Sequence, residues 1–123
     1  MTLSKTEEEL MQHLWKLKTA FLKDLLAQYP KPKPATTTVS TLLKRMIDKG
    51  YVDYEQHGRS REYYPLVPKS DYSSRRFDEL VNRFFDGSTT QFASFFASET
   101  DLSTEELKEL KAIIDKEIEK KEL

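Results

Sequence analysis

Residues 37–64, TTVSTLLKRMIDKGYVDYEQHGRSREYY, hold a helical pattern that passes without a spacer into a hairpin pattern. Val39, Leu42, Leu43, Met46 and Ile47 recur at i, i+3, i+4, i+7 and i+8, so on a helix they form a single apolar stripe against a core. The opposite face carries Thr37, Ser40, Thr41 and Lys44. Small hydroxyls with one lysine suit a surface that enters a DNA major groove, because they bond to phosphates and base edges without blocking close approach. Gly50 is expected to end the helix. Beyond it, aromatic and polar residues alternate on either side of Gly58-Arg59-Ser60-Arg61, which predicts two strands around a tight basic turn. A core-facing helix followed by such a hairpin is the order of a winged helix-turn-helix. It is also the order of a fragment of small α+β core, and the preceding residues bear on the choice.

Ser4-Lys5-Thr6-Glu7 has the form of a capping box and predicts a helix over about 5–17, with Leu10, Met11, Leu14 and Leu17 facing inward and Trp15 covering the edge. A second, shorter helix is expected to open at Thr19 or Ala20, with Phe21, Leu22, Leu25 and Leu26 inward. Pro30, Pro32 and Pro34 stop it, because proline lacks the amide and disfavours helix in the residue before it. Three helices and a hairpin wing therefore make residues 1–70 a winged-helix domain, closed by Pro65-Leu66-Val67-Pro68.

Residues 71–123 predict three more helices: one ending at Gly87, a short one in TTQFASFFASET, and one opened by a second capping box, Ser103-Thr104-Glu105-Glu106. Lys111 with Asp115 and Glu117 with Lys121 are spaced to support the last helix as i,i+4 pairs. The apolar load is large for so short a segment to hide alone. The segment is expected to be a dimerisation domain burying Phe84, Phe92, Phe95, Phe96, Leu107, Leu110, Ile114 and Ile118 between two copies. The competing arrangement packs these side chains back on the first domain. The fold class expected is mainly α.

Charge follows the same division. The net charge is −1, but residues 1–72 hold 12 Lys/Arg against 9 Asp/Glu and residues 73–123 hold 8 against 12. The first half is suited to a polyanion, and a local basic patch matters more than the total because phosphate contacts act within a Debye length of about 10 Å. With no cysteine there are no disulfides, thiolate metal sites or cysteine nucleophiles. Two histidines, His13 and His57, and three glycines argue against a metal centre or a phosphate-cradling loop, and no nucleotide-binding or hydrolase motif occurs. The chain is expected not to be an enzyme and to need no cofactor. It contains no apolar run of membrane-spanning length and no leader, so it is expected to be cytoplasmic with no membrane insertion.

The candidate DNA-binding residues are Thr36, Thr37, Ser40, Thr41 and Lys44 on the third helix, with Thr36 or Thr37 at its N-terminus where free amides favour a phosphate, and Arg59 and Arg61 on the wing. Lys31 and Lys33 lie in the proline linker, open to a phosphate contact but more commonly free, solvated linker lysines. Arg45 lies off the polar face, open to a bracing role or a DNA role, and Arg75 and Arg76 are open to DNA or to an intramolecular salt bridge, the salt bridge being favoured. His13 fits a partly buried structural position, and His57 a position beside the wing tip that faces a phosphate or solvent.

On SKTEEELMQHLWKL, TTTVSTLLKRMIDKGYV, EYYPLV and LSTEELKELKAIID, the chain resembles the penicillinase-repressor (BlaI/MecI/CopY) family of winged-helix transcriptional regulators over nearly its whole length. The resemblance implies a homodimeric repressor, bound as a two-fold assembly to palindromic double-stranded operator DNA in a resistance or stress operon, with half-sites near one helical turn apart or a multiple of it. It also implies a membrane-bound sensor metalloprotease as an upstream partner and relief of repression by a cut at an Asn-Phe bond. The only asparagine here, Asn82, precedes Arg83, and the matching place falls at Phe95-Phe96, so that bond is absent. Copper sensing through C-terminal cysteines is excluded by their absence. The alternative function is a winged-helix protein-interaction module that does not meet DNA.

Overall fold

The computed structural model describes residues 2–123. Its packing divides into two units, the first running to Arg76 and the second covering Phe77–Leu123. The elements are α1 (Lys5–Leu17), β1 (Ala20–Phe21), α2 (Leu22–Gln28), α3 (Thr36–Asp48), β2 (Val52–His57), β3 (Ser60–Pro65), α4 (Lys69–Phe84), α5 (Thr89–Glu99) and α6 (Thr104–Glu122). No helix among the described residues is long and apolar enough to cross a membrane.

In the first unit, most of each predicted stripe becomes the core; Leu17, Leu22, Leu26 and Ile47 are only partly buried against it, and Phe21, expected inward on the second helix, lies outside it on β1 beside His57. Leu10, Met11 and Leu14 of α1, Leu25 of α2, and Val39, Leu42, Leu43 and Met46 of α3 are buried together with Tyr51, Val52 and Tyr63. Full burial of each aliphatic side chain contributes about 1.5–3 kcal/mol before the cost of ordering the chain. Gly50 takes φ +82°, and the Tyr51 amide donates to Met46 O at 2.9 Å while the Gly50 amide donates to Ile47 O at 3.0 Å. These two bonds form a Schellman motif, which satisfies the last carbonyls of α3 and turns the chain directly into β2.

The sheet differs from the expected hairpin. It has three antiparallel strands in the order β1-β3-β2, with Ala20 opposite Tyr63 and Phe21 opposite Glu62. The expected helix start at Thr19 or Ala20 is thus displaced to Leu22. Phe21 is extended, and its amide donates to the Asp24 carboxylate at 3.0 Å, so Asp24 satisfies the amide of the residue that precedes α2 and fixes the helix start at Leu22. A two-residue strand is too short to show a period of two, which is why the sequence pattern concealed it.

The Ser4–Glu7 capping box forms, and Glu7 does more than cap. Its side chain is 2% exposed, accepts from the Ser4 amide at 2.8 Å, and meets Lys49 Nζ at 2.8 Å, beyond the end of α3. Burial alone raises its carboxyl, but the bonds from Lys49 and Ser4 outweigh it and leave the pKa below the ordinary value.

The end of the hairpin is joined to α1 and α4. The Trp15 indole Nε1 donates to Val67 O at 2.8 Å, and the Trp15 and Tyr51 rings lie 5.7 and 6.1 Å from that of Tyr72. The Tyr72 hydroxyl donates to Glu8, whose carboxylate also meets Arg76 at 3.5 Å, so Arg76 makes the expected intramolecular salt bridge. Burial first, and the Glu8 bond second, push the Tyr72 phenol up to about 12. The opening turns of α4 thereby belong to the first unit, and the packing division falls at residue 76.

In the second unit, Phe92 is surrounded by aromatic rings, with centroids at 4.8 Å for Phe77, 5.6 Å for Phe85 and 5.8 Å for Phe96. Ser88 caps α5 by accepting from the Gln91 amide, and the second capping box, Ser103 with Glu106, starts α6. Lys111 and Asp115 approach to 3.9 Å as spaced, whereas Glu117 pairs with Lys120 rather than Lys121.

Because the folded Glu7 carboxyl has a lowered pKa, its contribution is complete above the ordinary 4.5 and is lost as pH falls through the folded value. Glu7→Gln is expected to cost about 2 kcal/mol at pH 7, less than a fully buried pair because Lys49 reaches solvent. Urea denaturation of both proteins across pH 3–8 checks this, and the difference should shrink toward zero at the acid end.

Candidate nucleic-acid interface

The apolar stripe of α3 faces the core, so its other residues are displayed by default. Thr36, Thr37, Ser40, Thr41 and Lys44 are all exposed. Ala35, the residue before the helix, has no side chain able to cap it, and the first amide donating back into the helix is that of Thr38, to Ala35 O at 3.0 Å. The Thr36 and Thr37 amides therefore remain open at the positive end of the helix dipole.

A groove of about 1010 Å³ runs between α2, α3 and the hairpin. Thr36, Ser40 and Lys44 line it from α3, Lys23 from α2, and Arg59, Ser60 and Arg61 from the hairpin. Four cationic side chains line this groove and no carboxylate does, in a chain whose net charge is −1. Among the described residues, none of the four forms an ion pair. Thr37 and Thr41 lie outside the lining, further round α3, and the Thr41 hydroxyl donates back to Thr37 O at 2.9 Å. Its hydrogen is committed within the helix, which leaves Thr41 an acceptor and a methyl group for any ligand.

The hairpin separates two arginines that the sequence grouped at one tip. His57 pairs with Ser60, so the turn is Gly58-Arg59 alone, with positive φ (+60°) at Gly58, the pattern of a type II′ turn. Arg59 projects from the turn. Arg61 lies within β3, its guanidinium 4.3 Å above the Tyr54 ring, stacked on the sheet and directed toward the groove.

Other residues resolve differently from one another. Lys33 is not a free linker lysine, since its Nζ donates to Leu26 O at 3.0 Å and Tyr29 O at 3.3 Å and closes the C-terminus of α2. His13 packs edge-on against Tyr29 with centroids 4.4 Å apart; desolvation lowers its pKa, with Glu9 opposing, and pushes the Tyr29 phenol up to about 12. His57 faces neither solvent alone nor the groove, but the carboxylates of Glu62 and Glu55. Sequence reasoning left Arg45 undecided and passed over Lys23. Arg45 is exposed without an ion pair among the described residues, one turn beyond Thr41, and Lys23 enters the site only because α2 packs beside α3.

The family model of the penicillinase repressors matches residues 3–116. The chain belongs to the penicillinase repressor family. It is 28% identical over 115 residues to the methicillin resistance regulatory protein MecI of Staphylococcus aureus strain N315, covering 93% of this chain and 94% of MecI. It is 29% identical over 114 residues to the penicillinase repressor of Bacillus licheniformis, covering 92% of this chain and 89% of that one. A solution structure of the DNA-binding domain of the repressor BlaI superposes with a TM-score of 0.51 at 29% identity, over 58% of this chain and 88% of that domain. The first unit is thus the winged helix of a penicillinase-repressor family member.

Gly58 has open space where a Cβ would stand, so Gly58→Ala tests backbone conformation rather than a clash. A side chain at that φ costs about 1 kcal/mol. Thermal denaturation should show that loss, and amide exchange in the hairpin should quicken while the core helices keep their protection.

Proposed function

We propose that this protein is a DNA-binding transcriptional repressor that acts as a homodimer on a palindromic operator, as expected for control of a resistance or stress operon. The observation that carries the reading is the groove lined by Lys23, Lys44, Arg59 and Arg61 without a carboxylate, beside an α3 whose polar face and N-terminal amides are open. In this reading α3 enters the major groove, Thr37, Ser40 and Thr41 meet base edges, the Thr36 and Thr37 amides receive a phosphate, and Arg59 reaches the adjacent backbone or minor groove. Arg61, held on Tyr54, and Arg45 join the phosphate contacts. Repression is by occupancy and involves no catalysis.

Dimerisation falls to the second unit. Phe84 is 68% exposed, Phe95 50%, and Ile113 and Ile114 58% each, while Leu107 and Ile118 are also exposed and α6 buries none of its 19 residues. Phe92, Phe96 and Leu110, also expected at the interface, are half-buried within the unit. So many exposed large apolar side chains on one short segment are characteristic of an interface. Phe77, Leu80 and Ile113 extend the set of residues expected from sequence. An upstream membrane-bound sensor metalloprotease remains part of the reading, but with Asn82 followed by Arg83 any cut that relieves repression falls at a bond other than Asn-Phe.

Titration of DNA fragments from the protein's own upstream region, against competitor DNA and across salt, tests the reading. Lys44→Ala and Arg59→Ala are each expected to weaken binding to every sequence and to lower the salt slope by about 1, whereas Ser40→Ala changes which sequence is preferred. Unaltered binding in all three variants would remove α3 and the wing from the interface. No preference over competitor would point to a protein partner instead.

Sedimentation equilibrium checks the assembly. Wild-type protein should be dimeric at micromolar concentration, and Ile114→Asp, a charge placed on an already exposed position, should give a folded monomer that has lost at least tenfold in operator affinity.

A further inference from the structure

On the face of the hairpin sheet away from the core, Glu55 lies directly opposite Glu62, and among the described residues neither meets a lysine or arginine. Like charges in directly opposed strand positions are destabilising unless something cationic stands between them. His57, two residues along β2 and so on the same face, turns its Nε2 into the pair, 3.2 Å from Glu62 Oε1 and 3.8 Å from Glu55 Oε2. The three ligand atoms all lie within 4.8 Å of one another. In a tetrahedral site with bonds of about 2.0–2.1 Å, donor atoms stand about 3.3 Å apart, so small rotations of exposed side chains bring this set to coordination distance. The Phe21 ring, with its centroid 6.0 Å from that of His57, walls one side of the imidazole, and Phe21 is itself opposite Glu62 in the sheet.

We propose that Glu55, His57 and Glu62 bind a divalent transition-metal ion, Zn²⁺ being the best match. One imidazole and two carboxylates suit zinc and its neighbours, whereas magnesium and calcium select oxygen-only sets. Three protein ligands leave the fourth position to water. The ion joins β2 to β3 next to the turn that carries Arg59, and it neutralises two carboxylates beside it. On the reading of the groove as a DNA interface, bound metal therefore raises DNA affinity, acting as a co-repressor.

Calorimetric titration of the full-length protein with zinc chloride, with the two histidine rings followed by NMR, tests the site without DNA. The expected result is one saturable equivalent per chain, with His57 ring signals moving and those of His13 fixed. His57→Ala and Glu62→Gln should each lower affinity at least tenfold while circular dichroism stays unchanged. Absence of saturable binding, or binding unaltered in either variant, overturns the site. Operator titrations with and without zinc then test the coupling: a several-fold gain is expected in wild type and none in His57→Ala. An equal gain in both, or none in wild type, rejects the co-repressor role. A protein that takes up zinc in this way and binds no DNA would refute the DNA reading and leave the metal site standing.

Discussion

The buried carboxylate of Glu7 fixes how the first unit is assembled. One side chain closes the amide end of α1, takes the Lys49 ammonium from beyond the end of α3, and lies among residues that admit almost no water. A charge so enclosed is tolerable only with its partners in place, so the start of α1 and the end of α3 cannot separate without exposing an unpaired carboxylate. Lys49 also stands at the carbonyl end of α3, where a cation complements the helix dipole. The pair ties the end of α3 to the start of α1, and the apolar stripe of α3 decides which of its residues are left outside.

What is left outside is the candidate interface. Since Val39, Leu42, Leu43 and Met46 are committed to the core, Thr37, Thr41, Lys44 and Arg45 are displayed as a consequence of packing and need no further device. The Schellman turn at Gly50 then brings the hairpin back beside the same helix with no intervening loop, so that Lys44 and the wing arginines line one groove. Three separate requirements, an apolar stripe, a left-handed glycine and a tight turn, converge on one cationic surface.

Tyr72 plays a comparable part at the other end of the unit. Its ring sits against those of Trp15 and Tyr51, and its hydroxyl shares Glu8 with Arg76, so the beginning of α4 is held to α1 by both apolar and charged contacts. The second unit works on a different principle. Its internal contacts are mainly aromatic rings gathered around Phe92, while Phe84, Phe95, Ile113, Ile114 and Ile118 stay exposed. A core of that size leaves much of the hydrophobic driving force unspent, which is the physical ground for proposing that the unit associates.

The fold was largely legible because its signals are local and periodic. Capping boxes at Ser4 and Ser103, the α3 stripe, the proline linker and Gly50 each state in a few residues where a helix begins, faces or stops. The face carrying Thr36, Thr37, Ser40, Thr41 and Lys44 followed from that periodicity by subtraction. Contacts between residues distant in the chain were not legible, because no spacing rule encodes them. The strand at Ala20–Phe21, the Glu7–Lys49 pair, Lys33 turned back on α2, Arg61 laid on Tyr54 and Lys23 in the groove all arise from which surfaces meet after the helices pack. The same holds for Glu55, His57 and Glu62, whose convergence depends on strand register. The sequence by itself determined the helices, the hairpin and the side each helix hides; only the tertiary structure decided which exposed groups became neighbours and added the short strand beside β3, because these are properties of distances between elements and not of the period within one.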